Sequence, residues 1–194
     1  MRHHHTPQPS TTDRPLVLVD IDGVLNAFHS DGHGTHQRVA VAGGYRVVLD
    51  TRHPGWFDAL AEVAELRWAT MWQAHAGPVF GAVAGLGHDW PHLDFDGAYA
   101  AGSRYAHRTG TGVGGYKWPR ILEAAATGRA MVWIDDDMID AQLAWAAARH
   151  AGGAPTLFVR PDPADGFTEA EYAEVLAFAR EHAARRDDTT TTAA

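Results

Sequence analysis

The sequence predicts an α/β domain in which a mostly parallel sheet is covered by helices on both faces. Three observations predict it. Short uninterrupted apolar runs, LVLV after Pro15, AMVWI before Asp135 and TLFV before Arg160, suit strands buried on both faces. Segments with helical apolar spacing alternate with those runs, which is the pattern of crossover connections. The composition, 45% hydrophobic and 21% charged over 194 residues, is that of one compact domain. A chain of this size buries roughly 70% of the surface exposed when unfolded, so it can fold without metal or disulfide staples.

Each element has its own justification. Residues 1–14 are polar and rich in Pro, Thr and His, and 187–194 read DDTTTTAA, so both ends are expected to fray around one domain at 15–186. LVLV stops at Asp20, Asp22 and Gly23, giving the first strand an acidic carboxyl end. QRVAV and YRVVL around Gly43-Gly44 predict a tight hairpin, a flap over about 26–53. Trp56, Phe57, Leu60, Val63 and Ala64 share one helical face. LRWA is a strand ending at Thr70, Pro78–Leu86 a short helix, and LGHDWPHLDF holds a brief strand. Six glycines between 97 and 115 predict a loop, within a connection over about 88–116. Pro119–Ala126 is a helix with proline in its first turn and Ile121, Leu122 and Ala125 on one side. AMVWI is the strand before Asp135–Asp137, and an Ala-rich helix, Met138–Ala151, stops at Gly152-Gly153. After TLFV, Thr168 and Glu171 form a capping box for a last helix that buries Tyr172, Val175, Leu176 and Ala179.

Composition also excludes. With no cysteine there is no disulfide framework, zinc-thiolate site, iron–sulfur cluster or thiol catalysis, so chemistry falls to oxygen and nitrogen groups. A net charge of −8 disfavours indiscriminate binding to DNA or anionic membrane. No apolar run has the length of a signal peptide or a membrane span, so a cytoplasmic protein with no membrane association and no obligate protein partner is expected.

In open parallel sheets ligands bind beyond the carboxyl ends of the strands, where this chain places Asp20 and Asp22, Thr70, and Asp135–Asp137. If the chain stays extended past LVLV, Asp20 and Asp22 point the same way and need a cation. A hard, oxygen-rich site suits Mg²⁺, and Asp135 and Asp136 can supply its second side. DxDG alone also describes a turn, and an aspartate before Met138 also describes a helix cap, although capping accounts for one of three acids. Lys117 is the one lysine beside fifteen arginines. A compact ammonium can touch a carboxylate and a phosphoryl oxygen together, as a guanidinium fork cannot equally well. Gly110, Gly112 and Gly115 spell a dinucleotide-type fingerprint, but no apolar strand precedes them.

The order strand-DxD, strand-Thr, Lys at a helix start and strand-DD resembles the haloacid dehalogenase (HAD) superfamily of Mg²⁺-dependent phosphotransferases. DIDGVLN looks like its first motif, WAT its second, Lys117 its third and WIDD its fourth. WFDALAEVAELRWATMW, KWPRILEAA and WIDDDMIDAQLAWAAARHAGGAPTLFVRPDPADGFTEAEY are similar to the HAD domains associated with RNA-repair proteins and with stand-alone actinobacterial proteins, from about Leu16 to about Ala183. The resemblance implies a Rossmann-like fold with Asp20 as nucleophile and Asp22 as acid and base. It implies Thr70 and Lys117 on the phosphoryl oxygens. Mg²⁺ would be held by Asp20, Asp22 through its carbonyl, and Asp136, with Asp135 in direct or supporting contact. Asp22 favours a phosphatase over a carbon–halogen hydrolase, which resembles this pattern but lacks that acid.

No large cap domain fits in the flap or between Thr70 and Lys117, and an open site suits a bulky substrate. Residues 99–120 carry Arg104, Arg108, Lys117 and Arg120 with no acid, interleaved with Tyr99, Tyr105, Tyr116 and Trp118. Such a segment can grip phosphates and stack bases, so Arg104, Arg108, Arg120 and Trp72 are the expected substrate contacts, and RNA or DNA ends or nucleotides the expected substrates. The alternative is a HAD-like module that binds phosphate or nucleic acid with little turnover.

Overall fold

A computed structural model describes residues 14–27, 30–95 and 115–191. In chain order it contains β1 (Leu16–Val19), β2 (Gln37–Ala42), β3 (Tyr45–Asp50), α1 (His53–Val63) and β4 (Glu65–Trp68). Short helical turns at Gln73–His75 and Ala76–Gly81 then lead into α2 (Ala82–Ala84). They are followed by α3 (Trp118–Ala125), β5 (Met131–Ile134), α4 (Asp140–Ala151), β6 (Thr156–Val159) and α5 (Glu169–Thr191). Among the described residues β4-β1-β5-β6 form one wholly parallel sheet, and β2 and β3 pair antiparallel as a separate hairpin.

Strand alternation explains why the central strands read as continuous apolar runs. Val17 and Val19 of β1 join Val132 and Ile134 of β5 in one cluster, while Leu16 and Leu18 join Met131 and Trp133 in another. Successive side chains of a strand face opposite sides, so each cluster is one face of the sheet. Phe57 and Leu60 of α1 and Val175 and Ala179 of α5 cover the first face. Ile121 and Ala125 of α3 cover the second, with Leu143 and Trp145 of α4 packed against it. The α/β architecture with helices on both faces is therefore as the sequence predicts.

The hairpin turn needs its two glycines, whose φ values of 56° and 86° at Gly43 and Gly44 match a two-residue turn with both central residues left-handed. The capping box forms as expected: Thr168 N–H donates to Glu171 Oε2 at 2.7 Å, and Glu171 N–H to Thr168 Oγ1 at 3.4 Å. Four elements differ from the sequence reading. The helix expected over Pro78–Leu86 runs from Ala76 to Ala84, with its first six residues π-helical, and Gly77 and Gly81 lie against the backbone carbonyls of His88 and Leu86, where a Cβ would come within 2.5 and 2.4 Å. The brief strand in LGHDWPHLDF is one bridge, Trp68 to His92, beside a proline that has no N–H to extend it. The helix expected from Met138 starts at Asp140, with Met138 buried and Ile139 extended. The last helix continues to Thr191, past residue 186. No helix among the described residues is long and apolar enough to cross a membrane.

His53 opens α1 and is buried, its Nε2 3.0 Å from the Phe167 carbonyl oxygen, so that nitrogen carries the proton and donates. Burial holds its pKa below the usual histidine value, despite that hydrogen bond. The unfolded chain takes up a proton near pH 6.5 that the folded chain refuses, so this residue's contribution is complete above that pH and declines as pH falls below it. We expect His53→Gln to be less stable than wild type at pH 7.5, with the gap narrowing at pH 5.5 by up to about 1.4 kcal/mol per pH unit. Urea unfolding of both proteins at the two pH values checks this, and a gap that stays constant rules it out.

Candidate active site

Register and strand parity assemble the site. Val19 pairs with Ile134, so the next residues, Asp20 and Asp135, leave neighbouring strands side by side. Asp20 N–H donates to the Ile134 carbonyl at 3.0 Å and Asp135 N–H to that of Val159 at 3.1 Å, which extends the ladder by one step. Asp20 continues the alternation of Leu16 and Leu18, and Asp135 that of Met131 and Trp133, so both belong to the face covered by α3. Lys117 immediately precedes α3, which Ile121 and Ala125 seat on the same face. Its Nζ therefore reaches Asp20 Oδ2 at 2.5 Å and Asp135 Oδ2 at 2.6 Å. All three are nearly closed to solvent, Lys117 at 2%, Asp20 at 6% and Asp135 at 0% exposure. Backbone N–H groups hold the remaining oxygens: Ile21 donates to Asp20 Oδ1 at 2.7 Å and Asp137 to Asp135 Oδ1 at 3.0 Å.

Asp136 completes the group, and one carboxylate oxygen from each of Asp20, Asp135 and Asp136 lies within 4.8 Å of the others. Three carboxylates against one ammonium leave an excess of two negative charges where little water can screen them. Burial, with Asp20 adding to it, pushes the Asp135 carboxyl up to about 7 against the opposing pull of Lys117. Burial and the nearby Asp20 likewise push Asp136 up to about 7. Burial opposes the charge of Lys117, but Asp135 and Asp20 outweigh it and hold the ammonium well above its ordinary range. What the site is short of is positive charge, and an all-oxygen donor set of this kind fits a hard divalent cation such as Mg²⁺.

The backbone leaves room for that arrangement at Gly23, where φ is +75° and a Cβ would stand 2.2 Å from Cγ and Oδ2 of Asp136. Gly23→Ala is expected to cost about 1–2 kcal/mol for the left-handed backbone. If the three carboxylates hold Mg²⁺, displacing Asp136 should also weaken that binding about tenfold, in line with the loss of a metal-supporting group. Calorimetric Mg²⁺ titration checks this, and unchanged affinity would remove Asp136 from the binding set.

Asp22 lies elsewhere. The chain bends after Asp20, and the Ile21 carbonyl accepts from the N–H groups of Val24, Leu25 and Asn26, so the extended geometry that would aim Asp20 and Asp22 together does not persist. The Asp22 carboxylate is outside the three-carboxylate group and accepts from Asn26 Nδ2 at 2.9 Å and Trp72 Nε1 at 3.0 Å. Asn26 is buried, and its Oδ1 accepts the Val48 N–H at 2.9 Å, tying Asp22 to the hairpin. Sequence reasoning passed over Asn26, whose only signal was a polar residue closing the apolar stretch GVL.

Thr70 is buried just past β4, whose ladder is extended by the Ala69 N–H to the Val19 carbonyl, and its Oγ1 is 3.5 Å from the Trp72 N–H. Trp72 is half-buried, and its indole N–H is engaged by the Asp22 carboxylate. Arg120 is engaged by the Asp94 carbonyl and by Glu123, at 2.9 and 2.7 Å. Arg104 and Arg108, with the Gly-rich loop, lie outside the described residues. Comparisons with protein-family models, curated proteins and solved structures find no match to this chain.

Proposed function

We propose that the chain is a Mg²⁺-dependent phosphohydrolase of the HAD type, cleaving a phosphomonoester, in the finer reading a nucleotide or polynucleotide terminal phosphate. The observation that supports this is the Lys117 ammonium clamped between Asp20 and Asp135 with Asp136 alongside. That arrangement holds one carboxylate rigidly beside a buried positive charge and a cation-deficient pocket. Asp20 is the nucleophile: its carboxylate oxygen forms a bond to phosphorus as the ester oxygen leaves, giving an aspartyl-phosphate. Lys117 and Thr70 offset charge on the phosphoryl oxygens. Asp22 gives a proton to the departing oxygen and later takes one from the water that hydrolyses the intermediate. Asp135, fully buried on Lys117, positions the ammonium. Asp20 and Asp136, with Asp135 in support and Asp22 through its carbonyl, would hold Mg²⁺, which supplies electrostatic stabilisation of the phosphoryl group.

The test is phosphate release from an aryl phosphate, from 5′- and 3′-phosphorylated oligonucleotides and from mononucleotides, with Mg²⁺ and with chelator. Wild type is expected to release phosphate only with Mg²⁺, and Asp22→Asn to lower the rate on poor leaving groups by about 10²–10⁴. A folded wild type that releases nothing from any of these substrates identifies the binding module instead, and an Asp22→Asn protein with unchanged rates removes Asp22 as the acid and base.

A further inference from the structure

Asp22 belongs to two neighbourhoods. It follows Asp20 by two residues in sequence, yet its carboxylate lines a cavity of about 680 Å³ between the hairpin and the segment after β4. Tyr45 and Arg46 line it from the hairpin, and Trp72, His75 and Val79 from across. Resting on the phosphohydrolase reading, we propose that this cavity is the leaving-group pocket and that the group it takes is a nucleoside, its base stacked on Tyr45.

Size, aromatic content and polarity each point there. A cavity of about 150 Å³ encloses a benzene ring, so this one has room for a ring and a sugar together. Tyr45 is 69% exposed and meets Trp72 edge to face, centroids 6.0 Å apart at 73°, which leaves a ring face open to a stacked base. Trp72 donates its indole N–H to Asp22 Oδ2 at 3.0 Å, which fixes the wall nearest the acid, and in this reading the sugar oxygen bearing the phosphate lies beside the Asp22 carboxylate. Arg46 also lines the cavity; it donates to the Asp31 carbonyl at 2.8 Å and the Ser30 carbonyl at 3.4 Å, and a guanidinium has further N–H groups with which to meet the acceptor edge of a base. His75 adds a second polar group on the opposite wall. The hairpin turn forms part of the wall, since a Cβ at Gly43 would lie 3.2 Å from Val79 and 3.4 Å from Trp72. A simple sugar phosphate would leave the Tyr45 end unfilled.

In the reaction the bond between phosphorus and the nucleoside oxygen breaks as that to Asp20 forms. The Asp22 proton goes to the nucleoside oxygen, and a neutral nucleoside remains in the pocket. Water then cleaves the aspartyl-phosphate, restoring Asp20 and releasing phosphate.

The experiment compares kcat/KM for nucleoside monophosphates, ribose 5-phosphate and glycerol phosphate in wild type, Tyr45→Ala and Tyr45→Phe. Wild type is expected to favour the nucleotide over ribose 5-phosphate by about tenfold or more, the scale of one base–aromatic stack, with the ratio near one in Tyr45→Ala and kept in Tyr45→Phe. Calorimetric binding of a nucleoside monophosphate to Asp20→Asn, weakened about tenfold by adding Tyr45→Ala, gives a readout independent of turnover. A preference shared by 5′-phosphorylated oligonucleotides identifies a chain end as the source, and one confined to mononucleotides a free nucleotide; both support the pocket. Equal turnover of nucleotide and ribose 5-phosphate, with the aryl phosphate still cleaved, overturns the pocket and leaves the phosphohydrolase intact. Absence of nucleotide binding to Asp20→Asn overturns it as well, whatever the aryl phosphate shows.

Discussion

Asp20→Asn is expected to abolish Mg²⁺-dependent phosphate release while the protein stays folded. The amide is isosteric but has no anionic oxygen to attack phosphorus. Removing a covalent nucleophile leaves only the binding and electrostatic contributions, a fall of about 10⁴ or more by analogy with residues that act as a unit. The fold should tolerate the change because the site already has an excess of carboxylates, and the Asn oxygen can still accept from Lys117 or from the Ile21 N–H. Single-turnover phosphate release beside far-UV circular dichroism separates the two effects. A folded variant retaining a tenth of the wild-type rate would falsify Asp20 as the nucleophile.

Lys117→Met is expected to have the largest effect on stability. It takes the ammonium from between two buried carboxylates and leaves Asp20, Asp135 and Asp136 facing one another. Breaking a buried pair by removing one partner costs about 3–5 kcal/mol. The sign with pH follows from the carboxylates, because burial already pushes Asp135 and Asp136 up to about 7 with the lysine present, and its loss pushes them further. The folded variant thus binds protons that the unfolded chain gives up near pH 4, so its stability should recover as pH falls from 8.5 to 6. Lys117→Arg should not restore the wild-type state, since a planar fork cannot replace a point donor in a space closed to solvent. Urea unfolding in chelator at both pH values measures this. A loss under about 1 kcal/mol that is flat with pH would mean that the clamp is not a principal support of the site.

The fold was legible because its main signals are local. LVLV and TLFV match β1 and β6, the hairpin follows from its Gly-Gly turn, and the Thr168–Glu171 box lies at the start of α5. The segment after Thr70 was not legible in the same way. Its π-helical stretch, Ala76–Gly81, packs at Gly77 and Gly81 against the backbone of residues 86–88, a contact that no local pattern encodes.

The site divides along the same line. Asp20, Asp135 and Lys117 could be singled out in the sequence because strand ends and an unusual lone lysine are properties of the chain itself. That they converge was decided by the parallel register of β1 and β5 and by the face on which α3 lies. The sequence by itself thus determined the α/β class, the order of its elements and which residue types stand at the strand ends. Only the tertiary structure decided that Lys117 is clamped by Asp20 and Asp135, that Asp136 rests against Gly23, and that Asp22 turns toward Asn26, Trp72 and the hairpin cavity. The physical reason is range: propensity and periodicity act over a few residues, whereas the charge clamp joins Lys117 to Asp20 across 97 positions and depends on burial that exists only when the layers have packed.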